Sequence, residues 1–518
     1  MMDKGKPLSA EQKASKFLKI ASQFRLGKLS TERPHPKTHH LSMLAQTRLP
    51  EAINVLKKVD IGALDILIQK SDLLRPLYSA VKKTLRQGGK IFICGCGATG
   101  RLALSLEYFW RSENKGTSLK NSVIGFMSGG DAAIIRSIEY FEDHPEYGAR
   151  QLMELGYTEK DLFIGCTEGG ETPYVIGATE AACEVKGNDV FFIYGNPDKL
   201  LRKLAIRSKN VLRNSCINKI NLDSGPMAVA GSTRMQSSTL IMAAVGMVLQ
   251  YINHPFSRVV REIKNLRTVY NNMALSFLES FICCESGIYQ DKDYVLYRTN
   301  KNLAITILTD TTERSPTFSL RPFENERDVP KLFSLCYLYL PGAKSAAQAW
   351  TMLFNRKPRT LIWPDKGEKT GNEQLLGFDI SNNLLKRRLK GPLKNKHHEF
   401  EITGVSGGIA FRLEQKKYVI PIDHTNILQK HLILKMILNI HSTLVMGRLK
   451  RYEGNLMTWV YPTNNKLIDR AVRYIQMLAA KKGVQISYSR AVKEVFLFLD
   501  KSPGNNSVVV ECLKNLTS

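Results

Sequence analysis

The residues best suited to chemistry stand in Gly95-Cys96-Gly97-Ala98-Thr99-Gly100-Arg101, which follows the apolar run Lys90-Ile91-Phe92-Ile93-Cys94 and precedes Leu102-Ala103-Leu104. The pattern predicts a strand, a glycine-rich turn and the start of a helix. Such a junction binds anions, because small residues let the backbone approach a ligand while unpaired N–H groups at the helix N-terminus point at a negative oxygen. Gly97, Ala98, Thr99 and Gly100 are therefore candidate phosphate contacts. The run has neither the Gly-Lys-Ser/Thr ending of a P-loop nor a dinucleotide fingerprint with its acidic ribose partner. Alone it leaves open a tight turn that uses glycine only for geometry.

A second loop narrows that choice. Asp161-Leu162-Phe163-Ile164-Gly165-Cys166 predicts another buried strand, running into Thr167-Glu168-Gly169-Gly170-Glu171-Thr172-Pro173 and a helical stretch over 174–184. In an open parallel sheet, ligands collect where the carboxyl ends of strands meet helix N-termini, so two such loops can grip one phosphorylated molecule from both sides. Thr99, Thr167 and Thr172 are the candidate hydroxyl donors, with Gly169 and Glu171 beside them. Each threonine also suits a helix cap.

The elements that must position these loops follow from hydropathy patterning. Strands are expected at 90–94, 122–126, 161–166, 189–194 and 217–222, separated by helical stretches, which implies a doubly wound parallel sheet. Helical spacing runs over 61–86 and long helical patterns fill 232–285. Residues 1–59 read as a polar leader and connecting segment, where Pro34 and Pro36 argue against one continuous helix. The strand-and-helix rhythm restarts at 294–297, 304–308, 332–340 and 359–363, predicting a second α/β domain. Its first and third strands end in Arg298-Thr299-Asn300-Lys301 and Pro341-Gly342-Ala343-Lys344-Ser345, and neither reproduces the paired loops.

The loop pair resembles the sugar-isomerase (SIS) phosphosugar-binding domain, whose second loop reads Ser-x-Ser-Gly-x-Thr; Thr167 and Gly169 stand in place of the serines. More narrowly, the chain is similar to the N-acetylmuramic acid 6-phosphate etherase and glucokinase regulatory protein family. The matching pieces include Thr31-Glu32-Arg33-Pro34-His35-Pro36, Gly129-Gly130-Asp131, Glu171-Thr172-Pro173-Tyr174, Asn196-Pro197, Gly231-Ser232-Thr233-Arg234-Met235, Gly454-Asn455-Leu456-Met457 and Thr463-Asn464-Asn465-Lys466-Leu467. The resemblance implies two fused SIS domains: a leader over 1–60, a first domain over 61–285 with the phosphosugar site, a degenerate second domain over 286–480, and a short lid-like segment over 481–518. It also implies that Lys435 reaches the ligand from the second half, where the equivalent first-half residue is Met242.

In the etherase pattern one glutamate follows the first loop and another lies in a Glu-Gly-Ala-Glu-Asp segment. The first falls on Phe109 and the second on Glu142. Phenylalanine cannot transfer a proton, and Glu107 lies about 200° away around the helix. Glu139 and Glu142, three apart, are expected to share a helix face and to bond sugar hydroxyls. A phosphosugar-binding sensor that controls a partner enzyme such as a sugar kinase is the leading reading. An active etherase, with Glu142 catalytic, and an SIS-type aldose–ketose isomerase are the alternatives.

Composition adds limits. Lysine and arginine outnumber acids 74 to 47 for a net charge of +27, which suits anionic partners. The densest basic run, 386–398, has no aromatic interleaving or recognition helix and reads as a solvated loop; no nucleic-acid partner is expected. No stretch has the roughly 18 apolar residues of a membrane span, and the cytoplasm is the expected address. The nine cysteines show no metal or disulfide spacing. Neither a cofactor nor a metal is implied.

Overall fold

Strands β1 (Ile91–Gly95), β2 (Val123–Met127), β3 (Leu162–Thr167), β4 (Asp189–Tyr194) and β5 (Ile217–Asn221) form a parallel sheet in the order β2-β1-β3-β4-β5. The computed structural model describes every residue except 1–7, 25, 139–140, 330–331, 367, 390–394, 423–424, 461, 463 and 502–505. All residues of β1 and β3 are buried, which is why these strands read as continuous apolar runs rather than alternating ones. The strand order reverses between β1 and β3, so the chains leaving them diverge and open a crevice at their carboxyl ends. These five strands fall where the sequence predicts them, within a residue at each end.

The second sheet contains β6 (Tyr294–Arg298), β7 (Cys336–Tyr339), β8 (His397–Val405), β9 (Gly408–Leu413) and β10 (Lys416–Pro421), in the order β10-β9-β8-β6-β7. The α/β class holds, but this sheet is mixed: β6 runs parallel to β7 and β8, whereas β8, β9 and β10 form an antiparallel meander. Two of the expected strands fail here and a third shortens. Residues 304–308 open the helix Ala304–Phe318, because a short apolar run does not distinguish a strand from a buried helix segment. The expected strand at 332–340 is confined to β7, and 359–363 forms none. The basic run is no solvated loop among its described residues: it supplies the helix Asn383–Leu389 and the start of β8. Within it, Arg388 is buried and bonds Glu324 at 2.8 and 2.9 Å; residues 390–394 lie outside the described set.

Between the sheets, helices Ala98–Glu113, Gln236–Gln250, Ala304–Phe318 and Ile427–Arg448 pack together. Helix Ile427–Arg448 is buried on nearly every side, as expected of a helix enclosed by others. The N-terminal region is more structured than a leader: it holds helices Ala10–Ile20 and Leu41–Thr47, and helix Leu49–Gln69 begins well before residue 61. Residues 481–518 hold helices Tyr488–Lys501 and Val508–Thr517, packed on Asn465–Lys481, with Lys13 of the first helix bonding Asp500 at 2.7 Å. Among the described residues no helix is long and apolar enough to cross a membrane.

Candidate functional site

The first loop is shaped by backbone geometry that only small residues accept. Gly97 has φ 55° and ψ −119° at the N-cap of helix Ala98–Glu113, a conformation that disfavours any side chain. A Cβ on Gly95 would stand 2.3 Å from the carbonyl of Thr99. The Thr99 hydroxyl accepts from the Cys96 N–H and donates to the Cys96 carbonyl, each at 2.9 Å. It therefore holds the turn closed; the groups it leaves to a ligand are backbone N–H groups at the helix start.

The second loop is built the same way. The hydroxyls of Thr167 and Thr172 lie 2.9 Å apart, and the Gly170 N–H donates to Thr167 Oγ1 at 3.2 Å. Asn196 donates to the Gly169 carbonyl and to Thr31 Oγ1, each at 2.9 Å, which ties the N-terminal motif to this loop. Glu171 is spoken for on both oxygens: Lys466 lies 2.5 Å from one and Arg207 2.5 Å from the other. Burial raises its pKa, but Lys466 and Arg207 outweigh that and hold it at about 2.

Glu142 and Glu168 lie within electrostatic reach of Cys96 in the first loop. Burial pushes the Cys96 thiol well above its usual range, and the nearby carboxylates of Glu142 and Glu168 push it further. Burial also raises the pKa of Glu142, which Lys466 opposes. Residues 141–144 are turn and coil, so the expected helix face shared by Glu139 and Glu142 does not exist there; Glu139 itself lies outside the described residues. Instead, the Glu142 carbonyl accepts from the Tyr174 N–H at 3.1 Å, which attaches it to the helix that follows the second loop.

Glu168 escaped the sequence reading, although it stands between Thr167 and Gly169. Ser238 donates to its carboxylate at 2.7 Å, and burial pushes its pKa up to about 7. Lys466, visible only as part of the Thr463–Leu467 motif, is the second such residue. The raised pKa has a testable consequence. The folded protein holds the Glu168 proton more tightly than the unfolded chain, so this group's contribution to stability falls as pH rises from 4.5 through 7. Glu168→Gln is expected to flatten that fall and to stabilise the protein by about 1–3 kcal/mol at pH 8. Urea midpoints measured from pH 4 to 8 read this directly, and parallel curves for the two proteins would refute it.

The cavity between the halves is lined by Ala98, Leu102, Ser105, Arg234, Ser238, Met242, Thr306, Asp310, Glu313, Lys435 and Asn439, among others. Lys435 is buried and lines it together with Met242, donating to the Arg234 carbonyl at 2.6 Å and to Thr239 Oγ1 at 2.8 Å. Burial lowers its pKa to about 8. The second half thus brings Lys435 to the same cavity as Ala98 of the first loop. Arg101 adds another cross-half link, bonding Glu313 at 2.5 Å.

Phe109 follows Leu102 and Ser105 on the same helix face. It is buried, with its ring 4.4 Å from that of His431. His431 bonds Thr306 at 2.7 Å, and burial lowers its pKa to about 3, so the imidazole is neutral. Glu107 is structural: buried on another face, it pairs with Arg356 and Arg359 of the second half. Among the described residues no His, Cys, Asp or Glu cluster is arranged to hold a metal ion, and all nine cysteines are free thiols.

Two glycine-bearing loops at the switch point of a five-stranded parallel sheet, closed by a second α/β half, define an SIS-domain phosphosugar-binding protein. Residues 74–183 match the family model described as the glucokinase regulatory protein N-terminal SIS domain. An N-acetylmuramic acid 6-phosphate etherase of Thermosynechococcus vestitus is 34% identical over 224 residues, covering 43% of this chain and 67% of the relative. One from Francisella philomiragia subsp. philomiragia is 27% identical over 307 residues, covering 55% and 91%. The C-terminal domain of glucosamine-fructose-6-phosphate aminotransferase from Francisella tularensis aligns over 74% of this chain and 95% of that one, at 11% identity and a TM-score of 0.36. The chain belongs to the N-acetylmuramic acid 6-phosphate etherase and glucokinase regulatory protein family.

Proposed function

We propose that this chain binds a sugar phosphate between its two halves and acts as a sugar-phosphate-responsive regulator of a partner enzyme such as a sugar kinase. The observation that carries this reading is Phe109. The position at which the resemblance puts the etherase acid/base holds an apolar ring packed on His431, and a phenyl ring cannot exchange a proton with a leaving oxygen. Binding needs only the loops, Glu142 and Lys435, and all of them are present.

A second reading, a lyase that eliminates lactate from N-acetylmuramic acid 6-phosphate, draws on the names of the relatives and on one feature of this chain. Glu142 and Glu168, both with raised pKa values, lie within electrostatic reach of Cys96, and carboxyls tuned in this way can serve as acid and base. An SIS-type isomerase has less support, since no further base is assigned to it. The test is a thermal-shift and turnover panel over fructose 6-phosphate, fructose 1-phosphate, glucosamine 6-phosphate and N-acetylmuramic acid 6-phosphate. Binding without turnover supports the regulator, and lactate release supports the lyase.

Within either reading the two loops form one anion site. Thr99→Val opens the Cys96 turn, and Thr172→Val removes the hydroxyl beside Thr167. Each is expected to weaken phosphosugar binding by about 1–3 kcal/mol. Calorimetric titration of both folded variants decides the matter: unchanged affinity in both would separate the loops from the ligand.

A further inference from the structure

The second half has no paired phosphate loops, yet one of its segments lies across the first half beside Glu142. The geometry points to a positioning role for that segment: residues 356–363 form a strap that holds the Glu142 loop in its binding conformation. This inference rests on the reading of Glu142 as a sugar contact.

The strap leaves helix Ala346–Phe354 through Asn355, whose φ of 53° turns the chain sharply. At its start, Arg356 bonds the two oxygens of Asp131 at 2.5 and 3.0 Å and those of Glu107 at 3.1 Å. The Arg359 N–H donates to Asp131 Oδ2 at 2.6 Å, and the Asp131 N–H donates back to the Arg359 carbonyl at 3.1 Å. Asp131 closes the Gly129-Gly130 turn after β2, so the strap grips one end of the loop.

Trp363 grips the other end. It is 2% exposed, stacks on Phe141 with ring centroids 5.7 Å apart at 16°, and meets Tyr147 edge-on at 5.7 Å. Its indole N–H donates to Glu154 at 2.6 Å, and the Arg150 guanidinium lies 4.2 Å above its ring. Phe141, Leu361 and Trp363 form an apolar cluster separate from the main core, so its loss is a local event. Glu142 follows Phe141 directly and precedes Tyr147, so both ring contacts of Trp363 bracket it in the chain. A loop of irregular backbone would otherwise be ordered at each binding event, and that ordering is subtracted from affinity; the strap removes that cost in advance.

The test uses the full chain and the variants Trp363→Ala and Trp363→Phe. Fructose 6-phosphate and N-acetylmuramic acid 6-phosphate serve as sugar probes and inorganic phosphate as a probe of the loops alone. Trp363→Ala is expected to weaken the sugar phosphate about tenfold or more and inorganic phosphate by less than about twofold, with Trp363→Phe within about threefold of wild type. Equal weakening of sugar phosphate and inorganic phosphate, or no weakening in a folded Trp363→Ala protein, overturns the strap. Hydrogen exchange keeps the inference testable without a ligand: amides of 141–147 are expected to lose protection in Trp363→Ala while those of the 95–101 loop do not. If neither sugar phosphate binds wild type, the site reading fails, and the strap stands or falls on the exchange result alone; unchanged protection at 141–147 overturns it.

Discussion

Purified protein is expected to release lactate from N-acetylmuramic acid 6-phosphate about two to four orders of magnitude more slowly than a catalyst with both proton-transferring groups, the usual effect of losing a general acid or base. The elimination must take a weakly acidic proton beside a carbonyl and protonate a departing oxygen. With Phe109 packed on His431, and with Asp310 and Glu313 of the cavity paired to Arg234 and Arg101, Glu142 and Glu168 are the candidate carboxyls for proton transfer. Robust wild-type turnover in a lactate assay would overturn the regulator and establish the lyase. The Phe109→Glu variant refines the result. Burying a carboxyl in place of the ring raises its pKa and costs stability, so a gain of lactate release in that variant identifies a binding fold that has lost its catalyst.

The second large effect is expected at Lys435. Lys435→Met keeps the length of the side chain and removes the ammonium, and phosphosugar affinity is expected to fall about 10- to 100-fold, the loss of a charged hydrogen bond. The lowered pKa supplies a signature. Because burial brings Lys435 to about 8, the ammonium is lost as pH rises through 8, so wild-type binding is expected to weaken above that pH and the variant to lack this limb. The same residue shapes stability with the opposite sign. A cation whose folded pKa lies below the unfolded value favours the neutral form when folded, so its burial becomes less costly as pH rises from 8 to 10.5. Calorimetric titrations at pH 7 and 9 test the binding claim; equal affinities for variant and wild type at both would remove Lys435 from the site.

Particular residues show how much of this was legible in advance. The two loops announce themselves because an anion site at a strand-to-helix junction requires small residues in a contiguous run, and Gly97 with its positive φ is such a requirement. Phe109 was equally legible, because a missing carboxylate is a property of one position. Glu168 carries no such mark, because nothing local separates a buried acid from a solvated one; its raised pKa comes from burial in the folded chain. The spacing of Glu139 and Glu142 suits a helix, whereas residues 141–144 are turn and coil, with Phe141 stacked on Trp363 and the Glu142 carbonyl bonded to the Tyr174 N–H.

The first sheet, the loops at its switch point and the absence of an acid at 109 can be read from the chain alone, since each rests on residues near one another in it. The tertiary structure alone decided the mixed second sheet and the burial of Lys435 against the Arg234 carbonyl. It also decided the Lys466–Glu171 pair and the strap from Arg356 to Trp363. Each of these joins residues far apart in sequence, and no local pattern specifies which distant partner closes the chain upon itself.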